Sequence, residues 1–194
     1  MFYKTDYNSP VGNITLGADG EHIVGLWIKG QKYFADTVKE KMFQNDDLPV
    51  FQKAKNWLDR YFRGEKPEIS ELPLAPKGGE FRQMVWKILC EIPSGQVWTY
   101  GGIAAMIAAR TGKKTMSAQA VGGAVGHNPI SIIIPCHRVV GSNGSLTGYA
   151  GGLETKIKLL ELEGVDMSGL FRPQKGTTEK LPAKSAVSGS YCVR

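Results

Sequence analysis

The N-terminal segment alternates between apolar and small or polar positions, which is the period of a β-strand. Ile14 and Leu16 form one such run, and residues 24–28 form a second. Asp19-Gly20 lies between the two runs, and glycine accepts the positive φ angle that a tight turn requires. The pattern therefore predicts a β-hairpin near the start of the chain.

Two stretches further along the chain repeat their apolar residues at helical spacing. One runs from Phe51 to Phe62 and is followed by Gly64 as a stop signal, and the other runs from Phe81 to Ile92. Residues 65–79 between them contain three prolines and two glycines. This composition predicts a linker between an N-terminal α/β half and a C-terminal half.

A pair of short helices is predicted in the C-terminal half. Thr99 can cap a helix over residues 100–109, and Ser117 can cap a second helix that continues to Val125. Residues 111–114 include a glycine and break the pattern between them. The pair is a candidate helix-turn-helix, although any small helical domain contains such pairs.

Gly122 and Gly123 are adjacent within the second of these helices. Each costs about 1 kcal/mol relative to alanine inside a helix, which indicates that another surface approaches closely. Tight packing between two helices is one interpretation. Contact with a nucleic-acid backbone or groove is the other.

The last predicted helix runs from Leu153 to Glu163, with Gly164 as its C-terminal stop. From Arg172 onward the chain is polar, with scattered lysines and prolines. A flexible tail is expected there.

The composition is that of a globular protein with 194 residues, enough for one large domain or two small ones. The net charge of +6 suits a polyanionic partner without proving one. No apolar run is long enough to span a membrane, and Met1 is not followed by a signal-peptide pattern. We therefore expect a cytoplasmic protein without membrane contact.

The cysteines are Cys90, Cys136 and Cys192, which are widely spaced and include no CxxC pair. This pattern argues against a disulfide framework or a zinc knuckle, and the histidines add no recognisable metal-ligand spacing. We predict no metal site, so any thiol chemistry would depend on a single cysteine.

Cys136 is followed directly by His137. An imidazole can take the proton of a thiol, and a carboxylate such as that of Glu163 can hold the imidazole in the required tautomer. Adjacent side chains on an extended segment point in opposite directions, so a bridging water is plausible. The alternative is that Cys136 is merely a small buried apolar residue, and spacing alone does not decide between the two.

The run I-I-I-P-C-H-R-V-V-G at residues 132–141 resembles the active-site signature of the O6-alkylguanine-DNA alkyltransferases, the methylated-DNA–protein-cysteine methyltransferases. The resemblance is strong over residues 81–165 and looser over the N-terminal half, and it has no counterpart after Ser168. Four further segments match the family in order and spacing, namely residues 120–124, 127–129, 148–152 and 160–164.

This resemblance implies a fold of two domains. Residues 1–79 would form an α/β ribonuclease-H-like domain with its linker. Residues 80–168 would form a mainly α, winged-helix-like domain that contains the helix-turn-helix, and residues 169–194 would be a flexible tail.

The resemblance also implies DNA repair by direct, irreversible alkyl transfer. The second helix of the pair would lie in the minor groove of double-stranded DNA, and O6-alkylguanine (O4-alkylthymine being a further candidate) would be rotated out of the stack. The Cys136 thiolate would attack the alkyl carbon, with His137 taking the thiol proton through a water and Glu163 orienting His137. Each molecule would act once, as a monomer, without a cofactor and with access to nucleoid or nuclear DNA.

Further roles follow from the same resemblance. Asn128 would be a hinge between the second helix of the pair, which would be the recognition helix, and the loop that carries Cys136. The residues that would bind the substrate base are Tyr100, Val139, Tyr149, Ala150 and Gly151. The residues that would contact DNA are Tyr100, Gln119, Ala120, Gly122 and Gly123.

One position departs from the family pattern, because Gln119 stands where members usually have an arginine that fills the space left by the extruded base. We therefore expect slower repair of duplex DNA, with phosphate contacts from Arg110, Lys113 and Lys114 as partial compensation. Three alternatives stay open: an alkyltransferase-like protein that binds lesions without catalysis, a helix-turn-helix transcription regulator, and a cysteine hydrolase.

Overall fold

The computed structural model describes residues 1–173, and the chain begins with a mixed sheet. Neighbouring strands follow the order β3-β2-β1-β4, with β4 parallel to β1 and the other pairs antiparallel. The bounds are β1 Phe2–Ser9, β2 Gly12–Ala18, β3 Ile23–Ile28 and β4 Met42–Gln44. The predicted hairpin is confirmed as β2–β3, with Gly20 at φ +115° in its turn. Strand β3 is buried along its whole length, whereas the sequence suggested alternation.

Helix α1, Pro49–Phe62, covers this sheet with an apolar stripe, and Gly64 ends it at φ +82° as predicted. The segment predicted as a linker is ordered, with a short 3₁₀ helix at Ile69–Glu71. It runs beside β3, since the Ile23 N–H donates to the Pro73 carbonyl at 2.8 Å. The connection between the two halves is therefore packed against the sheet.

The C-terminal half contains four α-helices and a two-stranded parallel sheet within the described residues. The bounds are α2 Glu80–Leu89, β5 Trp98–Thr99, α3 Tyr100–Arg110, α4 Ala118–Gly126, β6 Val139–Val140 and α5 Leu153–Leu162. Both predicted caps are confirmed. Thr99 Oγ1 accepts from the Gly102 N–H at 3.0 Å, and Ser117 Oγ accepts from the Ala120 N–H at 3.2 Å.

Helix α4 packs on the protein through one face and leaves the other open. Its buried face meets α2, where the Trp86 indole N–H donates to the Ala124 carbonyl at 2.9 Å. A Cβ atom added at Gly123 would meet nothing within 4 Å, and one added at Gly122 would lie 3.8 Å from the Tyr100 ring. Internal packing therefore does not explain Gly123, and the interpretation that another molecule approaches this face is favoured.

The two halves share one hydrophobic core, which includes buried residues of β2, β3 and α1 together with those of α2, α3 and α4. Strand β3 also holds the segment that leads to Cys136. The Leu26 N–H donates to the Pro129 carbonyl at 2.9 Å, and the Ser131 N–H donates to the Leu26 carbonyl at 3.0 Å. The N-terminal sheet is thus the support on which this segment is placed.

The first residues of the segment predicted as a tail are bonded to the domain. The Leu146 N–H donates to the Phe171 carbonyl at 2.9 Å, and the Phe171 N–H donates to the Gly144 carbonyl at 3.1 Å. The rest of that segment, residues 174–194 with Cys192, lies outside the described residues. Within residues 1–173, no helix combines the length and the apolar character that crossing a membrane demands.

Candidate active site

Cys136 begins a short 3₁₀ helix, Cys136–Arg138, in the interior of the protein. The sequence analysis treated this segment as extended, and that was wrong. The chain turns before it at Ile132, which has φ +69°, a conformation that a β-branched residue rarely adopts. The helical turn places Cys136, His137 and Arg138 in different buried surroundings, so each side chain has its own set of partners.

The Cys136 sulfur accepts a hydrogen bond from the Asn128 amide at 3.0 Å. The same amide nitrogen donates to the Ile134 carbonyl at 2.8 Å, while its oxygen accepts from the Ile130 N–H at 3.0 Å. Asn128 therefore connects the end of α4 to both sides of the turn that leads to the cysteine. The amide fixes the sulfur and also donates to it, which favours the thiolate.

His137 is completely buried, and its Nε2 lies 2.7 Å from Oε1 of Glu163. Its Nδ1 is buried and has no hydrogen-bond partner among residues 1–173. Since Glu163 is an acceptor when ionised, the contact assigns the neutral tautomer with the proton on Nε2. The Nδ1 lone pair is then free to accept a proton.

Glu163 lies just after α5 and accepts from three side chains. Tyr61 Oη donates to Oε1 at 2.6 Å, and the Arg138 guanidinium reaches both oxygens at 3.0 and 2.8 Å. Arg138 also donates to the Ile92 carbonyl at 2.5 Å, which agrees with a structural role for this arginine. The carboxylate is thus fully hydrogen-bonded although it is buried.

These contacts set the charges of the pair. Burial raises the pKa of Glu163, but the hydrogen bonds from His137 and Arg138, together with the guanidinium charge of Arg138, outweigh it and hold that pKa well below its usual range. Burial lowers the pKa of His137, even though Glu163 acts in the opposite direction. At neutral pH the pair is therefore a carboxylate with a neutral imidazole.

The thiol of Cys136 is protonated at rest, because burial raises its pKa. The Asn128 hydrogen bond and the positive charge of Lys156 oppose this rise. A buried thiol of this kind needs a base nearby before it can act as a nucleophile.

Lys156, on α5, is completely buried and was not singled out by the sequence analysis. Its Nζ donates to the Val139 carbonyl at 2.5 Å and to the Thr147 carbonyl at 2.8 Å. Burial lowers its pKa to about 8, although the nearby Cys136 acts in the opposite direction. The lysine thus joins β6 to the glycine-rich loop, residues 141–152, and places a cation near the thiol.

Two tyrosines border the thiol. Tyr100 Oη donates to the Thr147 carbonyl at 3.1 Å, and burial together with Cys136 raises the pKa of Tyr100 to about 12. Tyr149 meets the His137 ring edge-on, with centroids 6.3 Å apart, and its buried hydroxyl lacks a hydrogen-bond partner in the described part of the chain. Both rings therefore lie close enough to the thiol for its charge to act on their hydroxyls.

The loop beside Tyr149 is closely fitted to the N-terminal half. The Ala150 carbonyl accepts from the Lys32 N–H at 3.2 Å. A Cβ atom added at Gly151 would lie 2.7 Å from the Tyr149 ring and 2.9 Å from Ile28. Glycine is therefore the residue that fits at this position.

Four of the five predicted DNA-contacting residues lie on α4, and the fifth, Tyr100, begins α3 and contacts Gly122. Gln119, Ala120 and Gly123 are exposed, and Gly122 is half-buried against Tyr100. Within residues 1–173, no group of three or more histidine, cysteine or acidic side chains is arranged to hold a metal ion.

Comparison with known proteins matches each half of the chain to a domain model of one family. The model of the 6-O-methylguanine DNA methyltransferase ribonuclease-like domain matches residues 2–76, and that of the DNA binding domain of the same family matches residues 80–165. A curated methylated-DNA–protein-cysteine methyltransferase of Haemophilus influenzae is 45% identical over 84% of this chain and 87% of its own length.

Solved structures of the same family are similar to this fold. The O6-methylguanine methyltransferase of Mycobacterium tuberculosis has a TM-score of 0.73 at 40% identity, covering 84% of this chain and 93% of that chain. The same organism's protein in complex with DNA has a TM-score of 0.70 at 40% identity, covering 84% and 92% of the two chains.

The chain belongs to the 6-O-methylguanine DNA methyltransferase family. It has the family's two-domain fold, a ribonuclease-like domain followed by a DNA-binding domain. As in its curated relatives, the activity is that of a methylated-DNA–protein-cysteine methyltransferase that repairs DNA directly.

For this methyltransferase, sequence reasoning named Cys136, His137 and Glu163. The structure brings His137 and Glu163 into contact, while the side-chain partner of the Cys136 sulfur is Asn128. Sequence reasoning missed Tyr61 and Lys156. A signal for Lys156 existed, because it falls on the same helical stripe as the buried Leu159 and Leu160. Tyr61 also lies on a buried stripe, but nothing in the sequence identifies its partner 102 residues away.

Proposed function

We propose that this protein repairs O6-alkylguanine in double-stranded DNA by moving the alkyl group irreversibly onto Cys136. The observation that carries the proposal is the buried pair of His137 and Glu163 beside the thiol. Nδ1 of His137 has no hydrogen-bond partner in residues 1–173, so the site contains a base that is ready to accept one proton.

The proposed reaction begins with loss of the thiol proton. One water between Cys136 and His137 Nδ1 would carry this proton to the imidazole, and Glu163 would stabilise the imidazolium that forms. The sulfur then bonds to the alkyl carbon while the carbon–O6 bond breaks, and the electron pair stays with guanine. The guanine anion then gains, in net terms, the proton that the thiol lost to His137, so both the base and the imidazole end neutral. The thioether does not revert, so each molecule acts once.

The proposed base pocket lies between Tyr100 and Tyr149, whose rings border the thiol. The backbone of Ala150 and Gly151 would face the O6 side of the base. The Val139 carbonyl would read the exocyclic amine, and it would do so while also accepting from Lys156. Asn128 would be the hinge, a role supported by its bonds to both sides of the Cys136 turn.

The proposed DNA surface is the open face of α4, with Gln119 and Ala120 at its start and Gly122 and Gly123 in its middle. The absence of side chains at the glycines lets a minor groove approach the helix backbone. The target base would leave the stack, because its O6 substituent cannot be reached inside a duplex. We assign the DNA-binding domain to the winged-helix type and take residues 1–79 and 80–168 as the domain limits.

We further propose that the protein acts as a monomer, in the cytoplasm or wherever the DNA is accessible. The lesion is O6-alkylguanine first and O4-alkylthymine second. No cofactor takes part in this scheme, because the substrate itself carries the group that is transferred.

The test is the intact-protein mass after incubation with an excess of duplex oligonucleotide containing O6-methylguanine. We expect the mass to rise by one methylene unit per molecule and then to stay constant. A Cys136→Ala variant should bind the same duplex without a mass change. Lesion binding by the unaltered protein without any mass gain would instead identify a non-catalytic lesion binder and refute the proposal.

A further inference from the structure

Tyr61 is the point at which the N-terminal half touches the proposed proton-transfer pair. It belongs to α1, is 4% exposed, and donates its hydroxyl hydrogen to Oε1 of Glu163 at 2.6 Å. The two residues are 102 positions apart in sequence. A helix of the ribonuclease-like domain therefore contributes a direct hydrogen bond to Glu163 in the candidate active site of the other domain.

The bond is made to the same oxygen that contacts His137. Oε1 of Glu163 lies 2.7 Å from His137 Nε2 and also accepts from Arg138 at 3.0 Å, while Oε2 accepts from Arg138 at 2.8 Å. Each donor to a carboxylate spreads and weakens its charge. Tyr61 and His137 thus share one acceptor oxygen. A change in the hydrogen bond from Tyr61 therefore alters how strongly that oxygen interacts with His137.

The tyrosine ring is held so that its hydroxyl cannot easily turn away. It stacks on Trp57 with centroids 5.4 Å apart at 9°, and it meets Phe62 edge-on at 5.2 Å. Burial and the Glu163 charge raise the pKa of Tyr61 well above its usual value. The hydroxyl therefore stays protonated and remains a donor across the working range of pH.

We propose that Tyr61 is a positioning residue for the transfer to Cys136, fixing the Glu163 carboxylate and limiting how strongly it holds a proton on His137. This inference rests on the proposed function. Without the Tyr61 hydroxyl, Glu163 would be less restrained and more basic, and it would favour the imidazolium form of His137 even when Cys136 is neutral.

Several other groups act on this pair, and the test must allow for them. The charged or titratable side chains that act on Glu163 or His137 are Tyr61 of α1, Arg138 of the 3₁₀ helix Cys136–Arg138, Tyr149 of the glycine-rich loop and Lys156 of α5. In a Tyr61→Phe variant all but the first are unchanged. A shift in the pH profile then reports the loss of one hydroxyl.

The experiment compares Tyr61→Phe with Tyr7→Phe. Tyr7 makes the same kind of bond, its hydroxyl donating to an Asp59 carboxylate oxygen at 2.7 Å, but at the surface. The measurement is the single-turnover rate constant for methyl transfer from O6-methylguanine duplex DNA, from about pH 5 to about pH 9. Because the rate constant is taken per active molecule, partial unfolding lowers the amplitude without lowering the rate constant.

For Tyr61→Phe we expect a rate constant about tenfold lower at neutral pH, in keeping with the loss of one hydrogen bond to a charged group. We also expect the acidic limb to move to higher pH by at least about half a unit, since His137 must be neutral to accept the proton. Tyr7→Phe should match the unaltered protein in both respects.

A double variant makes the test independent of folding. In a Glu163→Gln background the Tyr61→Phe change should slow transfer no further, because its effect acts through the carboxylate. An unaltered rate and acidic limb in Tyr61→Phe, or effects that multiply in the double variant, would overturn the inference. Absence of methyl transfer in the unaltered protein would instead overturn the proposed function.

Discussion

The resting site contains a neutral thiol and a neutral imidazole, and the only charges next to them are those of Glu163, Arg138 and Lys156 within the described residues. Burial favours the neutral forms of Cys136 and His137. The negative charge of Glu163 favours the imidazolium form of His137, but the hydrogen bonds that Glu163 accepts weaken this effect. In the proposed mechanism the thiolate forms by a proton transfer within the site, so we expect reactivity to depend on the protonation state of His137.

The lowered pKa of His137 predicts a specific loss of stability in acid. The neutral form is favoured in the fold, so the stability it contributes is complete above about pH 6.5, the ordinary value of an unfolded imidazole. It is lost as pH falls through the lower folded value, at up to about 1.4 kcal/mol per pH unit. Glu163 also has a lowered pKa, but its contribution is complete above about pH 4.3 and is lost only below.

Denaturant unfolding at several pH values checks this expectation. His137→Gln should flatten the decline between about pH 6.5 and pH 5, because glutamine can donate to Glu163 without titrating. The control is His22→Gln at the surface, which should follow the unaltered protein. Equal declines in all three proteins would show that His137 is not held neutral.

Helix α4 combines an unfavourable composition with an open face, and this contrast points to a partner. Gly123 has free space where a side chain would be, so the protein itself gains nothing from a glycine there. In a helix a glycine costs about 1 kcal/mol relative to alanine. A cost of this kind is understandable where DNA must come close to the backbone.

Gly123→Ala should therefore raise the free energy of unfolding by about 1 kcal/mol and weaken binding to duplex DNA. Unfolding curves and fluorescence anisotropy with a labelled duplex measure the two effects. Asn56→Ala, at an exposed position of α1, is the control and should raise stability by a few tenths of a kcal/mol without changing affinity. Unchanged affinity in Gly123→Ala would remove α4 from the DNA surface.

Gln119 is exposed in the first turn of α4 and is uncharged and shorter than arginine. Gln119→Arg should speed the repair of duplex DNA more than reaction with the free modified base, since only the duplex has a gap to fill. Gln52→Arg on α1 adds the same charge elsewhere and should change neither rate much. Equal acceleration of both substrates by Gln119→Arg would argue against a role in base extrusion.

The elements that sequence reasoning found are those with local causes. Thr99 and Ser117 cap helices through contacts three residues away, and Gly64 ends α1 through its own backbone angle. Strand β4 was missed because it is short and pairs with β1, a partner far away in sequence. The 3₁₀ turn at Cys136 was missed for a similar reason, since distant contacts from β3 and Asn128 hold it.

In the site itself, neighbouring residues and a family motif were enough to name Cys136, His137 and Glu163 as candidates. The partners supplied from elsewhere could not be found in this way. Tyr61 meets Glu163 through tertiary packing of α1, and Lys156 resembles a surface lysine in the sequence unless its helical stripe is followed. Charge at the site is thus a property of the tertiary structure.

The molecule as a whole is organised around one core that both domains enter. The linker runs along β3, Tyr61 bonds across to Glu163, and β3 holds the chain before Cys136. The N-terminal domain therefore supports the site of the other domain directly. Separate unfolding of the two domains would break this core and expose apolar surface on both.

Thermal unfolding should accordingly occur in a single transition. Calorimetry should give a calorimetric enthalpy equal to the van't Hoff enthalpy, as expected when both domains unfold together. Tryptophan fluorescence offers a second probe, since Trp27 and Trp57 report on the N-terminal domain and Trp86 on the other. Two separate transitions would mean that the shared core does not couple the domains.

The most direct test of the account is to locate the methyl group after reaction with O6-methylguanine duplex DNA. Tandem mass spectrometry of the digested protein distinguishes the peptides that contain Cys90, Cys136 and Cys192. We predict one added methylene on Cys136 and none on the other two, because the proposed base His137 serves Cys136. A methyl group on Cys90 or Cys192, or a repaired duplex with Cys136 unmodified, would contradict it.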